Sequence, residues 1–261
     1  MTDLSTLASL FSYQFFQYAI LGGILSAIVC AMIGVFIVLR KQSMLGDGLA
    51  HASFGGIALG LFLGLFPLVT ALLISLLAVL SISYMRRKGI APSDASIAVF
   101  LALGFATGLV LISLSGGFSV DLFAYLFGSI LTINTMDLLL ILILGLCIIF
   151  FMVLFYKEMV ALCFDENFAK LSGIPVTALN LAFDVLVAFT IVISIKIVGV
   201  LLVSAMIVLP ALSALQLNLS FRKTMVASVA FAAVSVLTGI IISAIWGVAT
   251  SGMIVFTAGA I

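Results

Sequence analysis

The single histidine of the chain, His51, stands four residues after Asp47. On an α-helix, positions i and i+4 share a face, so these two side chains become neighbours. Both sit in a long apolar stretch, where ionisable groups are costly and face a bundle interior or a water-filled path. Imidazole with carboxylate is a ligand set for a divalent transition metal. Two ligands are too few for a closed tetrahedral zinc cage. A two-fold dimer would bring two Asp and two His together, and a transport site must also release its ion. Asp47 could equally pair with His51 or Arg40 only to satisfy burial, so spacing alone leaves both readings open. Other chemistry is missing. No G-x-x-x-x-G-K-[ST] loop occurs, so the chain has no P-loop of its own. With one histidine, placed in an apolar run, no Ser/His/Asp set can be argued, and an enzyme is not expected.

The elements that must position this pair follow from composition. The 261 residues are 66% hydrophobic and 7% charged, whereas about a quarter of a soluble domain is charged. Residues 4–39, 48–85, 95–120, 197–221 and 224–261 contain no Asp, Glu, Lys or Arg. A spanning helix needs about 20 apolar residues, and continuous runs of this length exclude the alternating segments of a membrane β-barrel. The expectation is an all-α integral membrane protein, a polytopic bundle of eight or nine transmembrane helices forming a single domain over 1–261. Spans are predicted near 14–39, 43–64, 67–85, 95–114, 136–156, 177–195, 197–216 and 224–245, with a short last segment at 247–261. A net charge of +1 gives no sign of a nucleic-acid partner. Met1–Tyr13 lacks a positive n-region, so no cleaved signal peptide is expected. Cys30, Cys147 and Cys163 read as free thiols packed as small apolar groups.

Placing Arg86, Arg87 and Lys88 in the cytoplasm puts nine of the ten basic residues there and only Lys196 outside. The outer segment 115–135 is interrupted by Asp121 and reads as a re-entrant or interfacial helix, or as an ordinary loop. The cytoplasmic stretch 161–176 is the longest polar one. Asp165 and Glu166 suit a helix start, and Gly173 and Pro175 a stop. On the helix of Asp47, the residues Gly48, Ala52, Gly56, Gly60 and Gly64 recur every fourth position and predict close helix packing. Asp184 lies two turns into the sixth span, Lys196 snorkels at the outer interface, and Pro210 kinks or ends the seventh span.

Three segments resemble the membrane permease subunit of bacterial and archaeal ABC importers for zinc and manganese. They are LRKQSMLGDGLAHASFGGIALG (39–60), whose Gly46, Asp47 and His51 match a Gly-Asp-x-x-x-His pattern, DLFAYLFGSIL (121–131) with Gly128, and VGVLLVSAMIVLPALSA (198–214) with Gly199 and Pro210. The resemblance covers nearly the whole chain. The last segment is shorter than is usual in the family, and Asp184 stands where an apolar residue is expected. The resemblance implies a type II ABC importer permease fold at the cell membrane. It implies two permease copies, two cytoplasmic ATP-binding subunits that use the ATP, an extracytoplasmic metal-binding protein and surrounding lipid. It assigns Asp47 and His51 as ligands of the transported Zn2+ or Mn2+, with zinc first. It places the ATPase-coupling helix at 161–176, with Asp165, Glu166, Ala169 and Gly173. Ligation needs a neutral imidazole, so import is expected to slow in acid. An iron-siderophore or cobalamin permease, or a stand-alone proton-coupled carrier, are the alternatives.

Overall fold

The structure, a computed structural model, describes residues 12–117, 120–128 and 135–261. The described residues form twelve helices and no strand: α1 Gln14–Leu39, α2 Leu45–Leu63, α3 Pro67–Lys88, α4 Ser93–Leu114, α5 Val120–Phe127, α6 Thr135–Leu154, α7 Tyr156–Phe164, α8 Glu166–Leu171, α9 Val176–Val198, α10 Val203–Gln216, α11 Phe221–Trp246 and α12 Thr250–Ala260. Six of them, α1, α3, α4, α6, α9 and α11, are long and apolar enough to cross a membrane. The protein is therefore an all-helical, multi-pass membrane protein. Six is fewer than the eight or nine expected. α10 and α12 are short, with 14 and 11 residues, and Asp47, His51 and several glycines dilute the apolar content of α2.

α2 is the most enclosed helix. It packs along α4 on one side and α3 on another, and it also meets α9 and α10. Most of its residues are buried. Lipid gives transmembrane helices no reason to hide apolar groups from one another, so close packing holds them together. The small residues of α2 supply that closeness. The main core gathers Phe36, Phe54 and Phe183 from α1, α2 and α9, and a second core joins α1, α11 and α12 through Val236, Ile240 and Ile254.

Element boundaries differ from expectation in two places. The span predicted to run to 156 stops at Leu154, and Tyr156–Phe164 forms a separate short helix. The chain breaks at 199–202, where Gly199 takes φ +93° and ends α9. Pro210 lies inside α10, which runs on to Gln216, the expected end of the seventh span. The segment 115–135 holds the eight-residue helix α5; 118–119 and 129–134 lie outside the described residues, as do residues 1–11, on which the signal-peptide expectation rests.

Candidate functional site

The turn after α1 delivers Asp47 into the first turn of α2, with His51 one turn further on. Both side chains are half-buried. The imidazole bonds to the backbone of Asp47, not to its carboxylate: Nδ1 is 2.9 Å from the Asp47 carbonyl oxygen. A carbonyl oxygen only accepts, so Nδ1 is the donor, and in the neutral ring the lone pair is on Nε2. Fixing one ring nitrogen in this way orients the other for ligation. The ring also stands edge-on to Phe105 of α4, 5.5 Å between centroids. The Asp47 carboxylate is left outside this bond, so the expected side-chain pairing of Asp47 with His51 is not what the i, i+4 spacing produces. Among the described residues no cluster of three or more His, Cys, Asp or Glu could hold a metal. Among the described residues the pair is not part of a closed cage.

α4 reaches the pair because of glycines. A methyl group on Gly104 would stand 2.6 Å from the His51 carbonyl oxygen and 2.5 Å from the Ala52 Cα. One on Gly48 would meet Ile97 of α4 at 2.5 Å. Gly56 and Gly60 face α3 instead, against Ala71 and against Thr70 with Pro67. The stripe thus serves two neighbouring helices. Gly64 does not pack: nothing lies within 4 Å of its added Cβ, and at φ +66° it forms the left-handed cap of α2. Gly46 adjoins Ser204 of α10, with its added Cβ 3.4 Å from the serine Cβ.

The second and third family-like segments meet at one end of the bundle. Val200 N–H donates to the Tyr125 carbonyl at 3.0 Å, and Leu201 N–H to that of Leu126 at 3.4 Å. Gly128 and Gly199 cross so closely that a Cβ on either would strike backbone of the other segment. A cavity of about 470 Å³ opens beside this crossing, bordered by Leu61, Gly64, Tyr125 and Lys196. Lys196 does not snorkel. Its ammonium donates to both carboxylate oxygens of Asp137 on α6, at 2.8 and 2.7 Å. Sequence reading missed this partner, although Asp137 and Lys196 are opposite charges at the ends of two predicted spans.

Asp184 also has a partner that sequence reading missed. Arg86 of α3 donates to its Oδ2 at 2.9 Å. Arg40, at the end of α1, donates to Asn180 Oδ1 at 2.9 Å and lies over the Phe183 ring at 5.4 Å. Asp184 Oδ1, Arg40 Nη1 and Gln42 Oε1 are buried without a hydrogen-bond partner among the described residues. Burial pushes the neighbouring Cys163 thiol of α7 up to about 11, with the Arg40 charge pulling the other way. That thiol stays protonated at neutral pH and is a poor nucleophile. All three cysteines are free.

The stretch 161–176 contains α8. Asp165 caps it, its carboxylate accepting from the Asn167 and Phe168 amides at 2.8 and 3.1 Å. Glu166 opens the helix and pairs with Lys170 at 3.2 Å. Ala169 is buried, Gly173 follows the helix at φ +80°, and Pro175 precedes α9. Phe164, Phe168 and Leu171 are exposed at this turn.

Comparison with known proteins gives a consistent result. The model of the ABC 3 transport family matches residues 12–261. An uncharacterised membrane protein of Synechocystis sp. is 37% identical over 81% of this chain and 75% of its own length. The manganese transport system membrane protein MntC of Halalkalibacterium halodurans is 31% identical over 95% of this chain and 85% of its own. Among solved structures, PsaBC from Streptococcus pneumoniae in complex with Fab superposes with a TM-score of 0.86 at 32% identity, covering 97% of this chain and 91% of that one.

Proposed function

Because the chain belongs to the ABC 3 transport family, we propose that it is the permease subunit of an ATP-driven importer of a divalent transition metal, with Asp47 and His51 as ligands along the path. The observation that carries this reading is the bond from His51 Nδ1 to the Asp47 carbonyl oxygen, which leaves Nε2 outside it as the nitrogen for ligation. The metal is a substrate in passage, and an incomplete ligand set in one copy suits an ion that must leave. Manganese moves ahead of zinc, because a relative named for manganese transport matches 95% of the chain. Imidazole and carboxylate accept both ions.

The remaining parts follow the same reading. The chain is one domain over 1–261, with eight or nine crossings of a type II importer fold once α2, α10 and α12 are counted. Two copies pair so that two Asp47 and two His51 approach one ion path. The capped α8, with Asp165, Glu166, Ala169 and Gly173, docks a cytoplasmic ATP-binding subunit. Its exposed Phe164, Phe168 and Leu171 support such a contact. A metal-binding protein delivers the ion near 115–135. ATP hydrolysis in the partner then alternates access between the two faces.

The test is uptake of labelled manganese and zinc by cells expressing the chain with the ATPase and binding protein of its own genome. Uptake of one metal that collapses in His51→Ala, with the complex assembled, is expected. Unchanged uptake in that variant removes His51 from the path. No uptake of either metal by assembled wild type overturns metal import and favours a metal-chelate substrate.

A further inference from the structure

At the end of the bundle that carries Arg40, Arg86 and Arg222, a groove of about 670 Å³ lies between α6, α7 and α11. Ligand pockets run from about 300 to 1,000 Å³. Its two long sides differ in chemistry. Met32, Met152 and Met225 form an apolar floor. Val153, Leu154 and Val226 form a lip and are 72%, 57% and 70% exposed. In a membrane protein, apolar side chains so exposed on helices of spanning length lie against acyl chains. The opposite rim is charged, with Lys157 and Arg222 against a single acid, Glu158.

The rim is also ordered. The Arg222 guanidinium lies over the Tyr156 ring, 5.0 Å from its centroid. That ring packs edge-on against Phe221 at 5.7 Å. Among the described residues neither Arg222 nor Lys157 takes part in an ion pair. The orientation set by the basic residues puts this rim at the cytoplasmic surface. Lys223, next in sequence, adds a further positive charge beside it.

We propose that this groove holds an anionic phospholipid of the cytoplasmic leaflet, with an acyl chain on the methionine floor and the phosphate between Arg222 and Lys157. Basic pockets between helices on the cytoplasmic side select anionic headgroups, and a guanidinium gives a phosphate two parallel donors. A zwitterionic lipid would bring its own cation to a rim that is already positive. An extended peptide laid on the apolar lip would leave backbone N–H groups facing lipid, which is costly. The site is separate from the Asp47–His51 pair and does not depend on which ion is carried.

The test is native mass spectrometry of the assembled transporter, permease with its ATPase, taken from bilayers of equal phosphatidylglycerol and phosphatidylcholine with matched acyl chains. Wild type is expected to retain phosphatidylglycerol over phosphatidylcholine. Arg222→Gln and Lys157→Gln should each weaken this retention by about fivefold, and together by roughly thirtyfold. Arg222→Lys should recover part of the loss, and Val226→Trp should abolish retention by filling the groove with the charges intact. Lys88→Gln, a cytoplasmic cation outside the groove, should change nothing. Equal retention of the two lipids overturns the site. So does a loss in Lys88→Gln as large as that in Arg222→Gln, which would mean diffuse attraction. Retention only when the ATPase is removed also overturns it, because the surface would then be a protein contact.

Discussion

Helix α9 makes two part-buried ion pairs, one through Asp184 in its first half and one through Lys196 in its last turn, and the two are built differently. Lys196 bonds both oxygens of Asp137. Asp184 bonds Arg86 through one oxygen, while its other oxygen and Arg40 Nη1 have no partner among the described residues. The Asp184 pair has two guanidinium groups close by and still leaves polar atoms unsatisfied. The Asp137 pair is made by one ammonium that reaches both oxygens. Satisfaction depends on geometry more than on the number of charges, and a partly satisfied buried network carries a high energetic cost. The Asp184 carboxylate is also the drier of the two acids, 3% exposed against 10% for Asp137, while the two cations are about equally exposed.

The contrast can be broken by removing one cation at a time. Arg86→Ala leaves a buried carboxylate with its bonded partner gone and should cost about 3–5 kcal/mol, read as the largest fall in thermal stability of the detergent-solubilised protein. Lys196→Ala should cost less, about 1–3 kcal/mol, because Lys196 borders the 470 Å³ cavity and its loss admits water to Asp137. Equal losses in the two variants would erase the distinction. The double replacement Arg86→Met with Asp184→Leu sharpens it. Two well-packed apolar chains should recover part of the stability lost in Arg86→Ala, the remaining deficit coming from the Arg40 guanidinium left without a carboxylate, and a loss as great as that of Arg86→Ala would mean that the pair does more than neutralise itself. Smallest and most local is Asp165→Ala, at about 1 kcal/mol. Its signature is faster hydrogen exchange at the Asn167 and Phe168 amides with the Arg86–Asp184 region unchanged.

Local features were readable in the residue order. Asp165 with Gly173 and Pro175 bracketed a short helix, because capping acts within one or two turns. The apolar runs located every long helix to within a few residues. Partner choice across the bundle was not readable. Arg86 and Asp184 are 98 residues apart, and Asp137 and Lys196 are 59 apart, so only tertiary packing brings them together. The periodic small residues of α2 marked a close contact but not its two recipients. Position 64 continued the period while belonging to the cap. At the candidate site the spacing of Asp47 and His51 put them on one face. Which atom of Asp47 the imidazole would take depended on side-chain rotamer and on Phe105, which periodicity does not encode.

The backbone bridge from Tyr125 and Leu126 to Val200 and Leu201 has a consequence for how the protein is made. The break at 199–202 exposes amide groups inside an otherwise apolar stretch, where lipid offers them no acceptor. Their acceptors lie about 75 residues earlier in the chain. Synthesis runs from the N-terminus, so α5 leaves the ribosome before the break that it must seal. The acceptor is thus in place before the donors arrive, and the reversal between α9 and α10 need not wait in the bilayer unsealed.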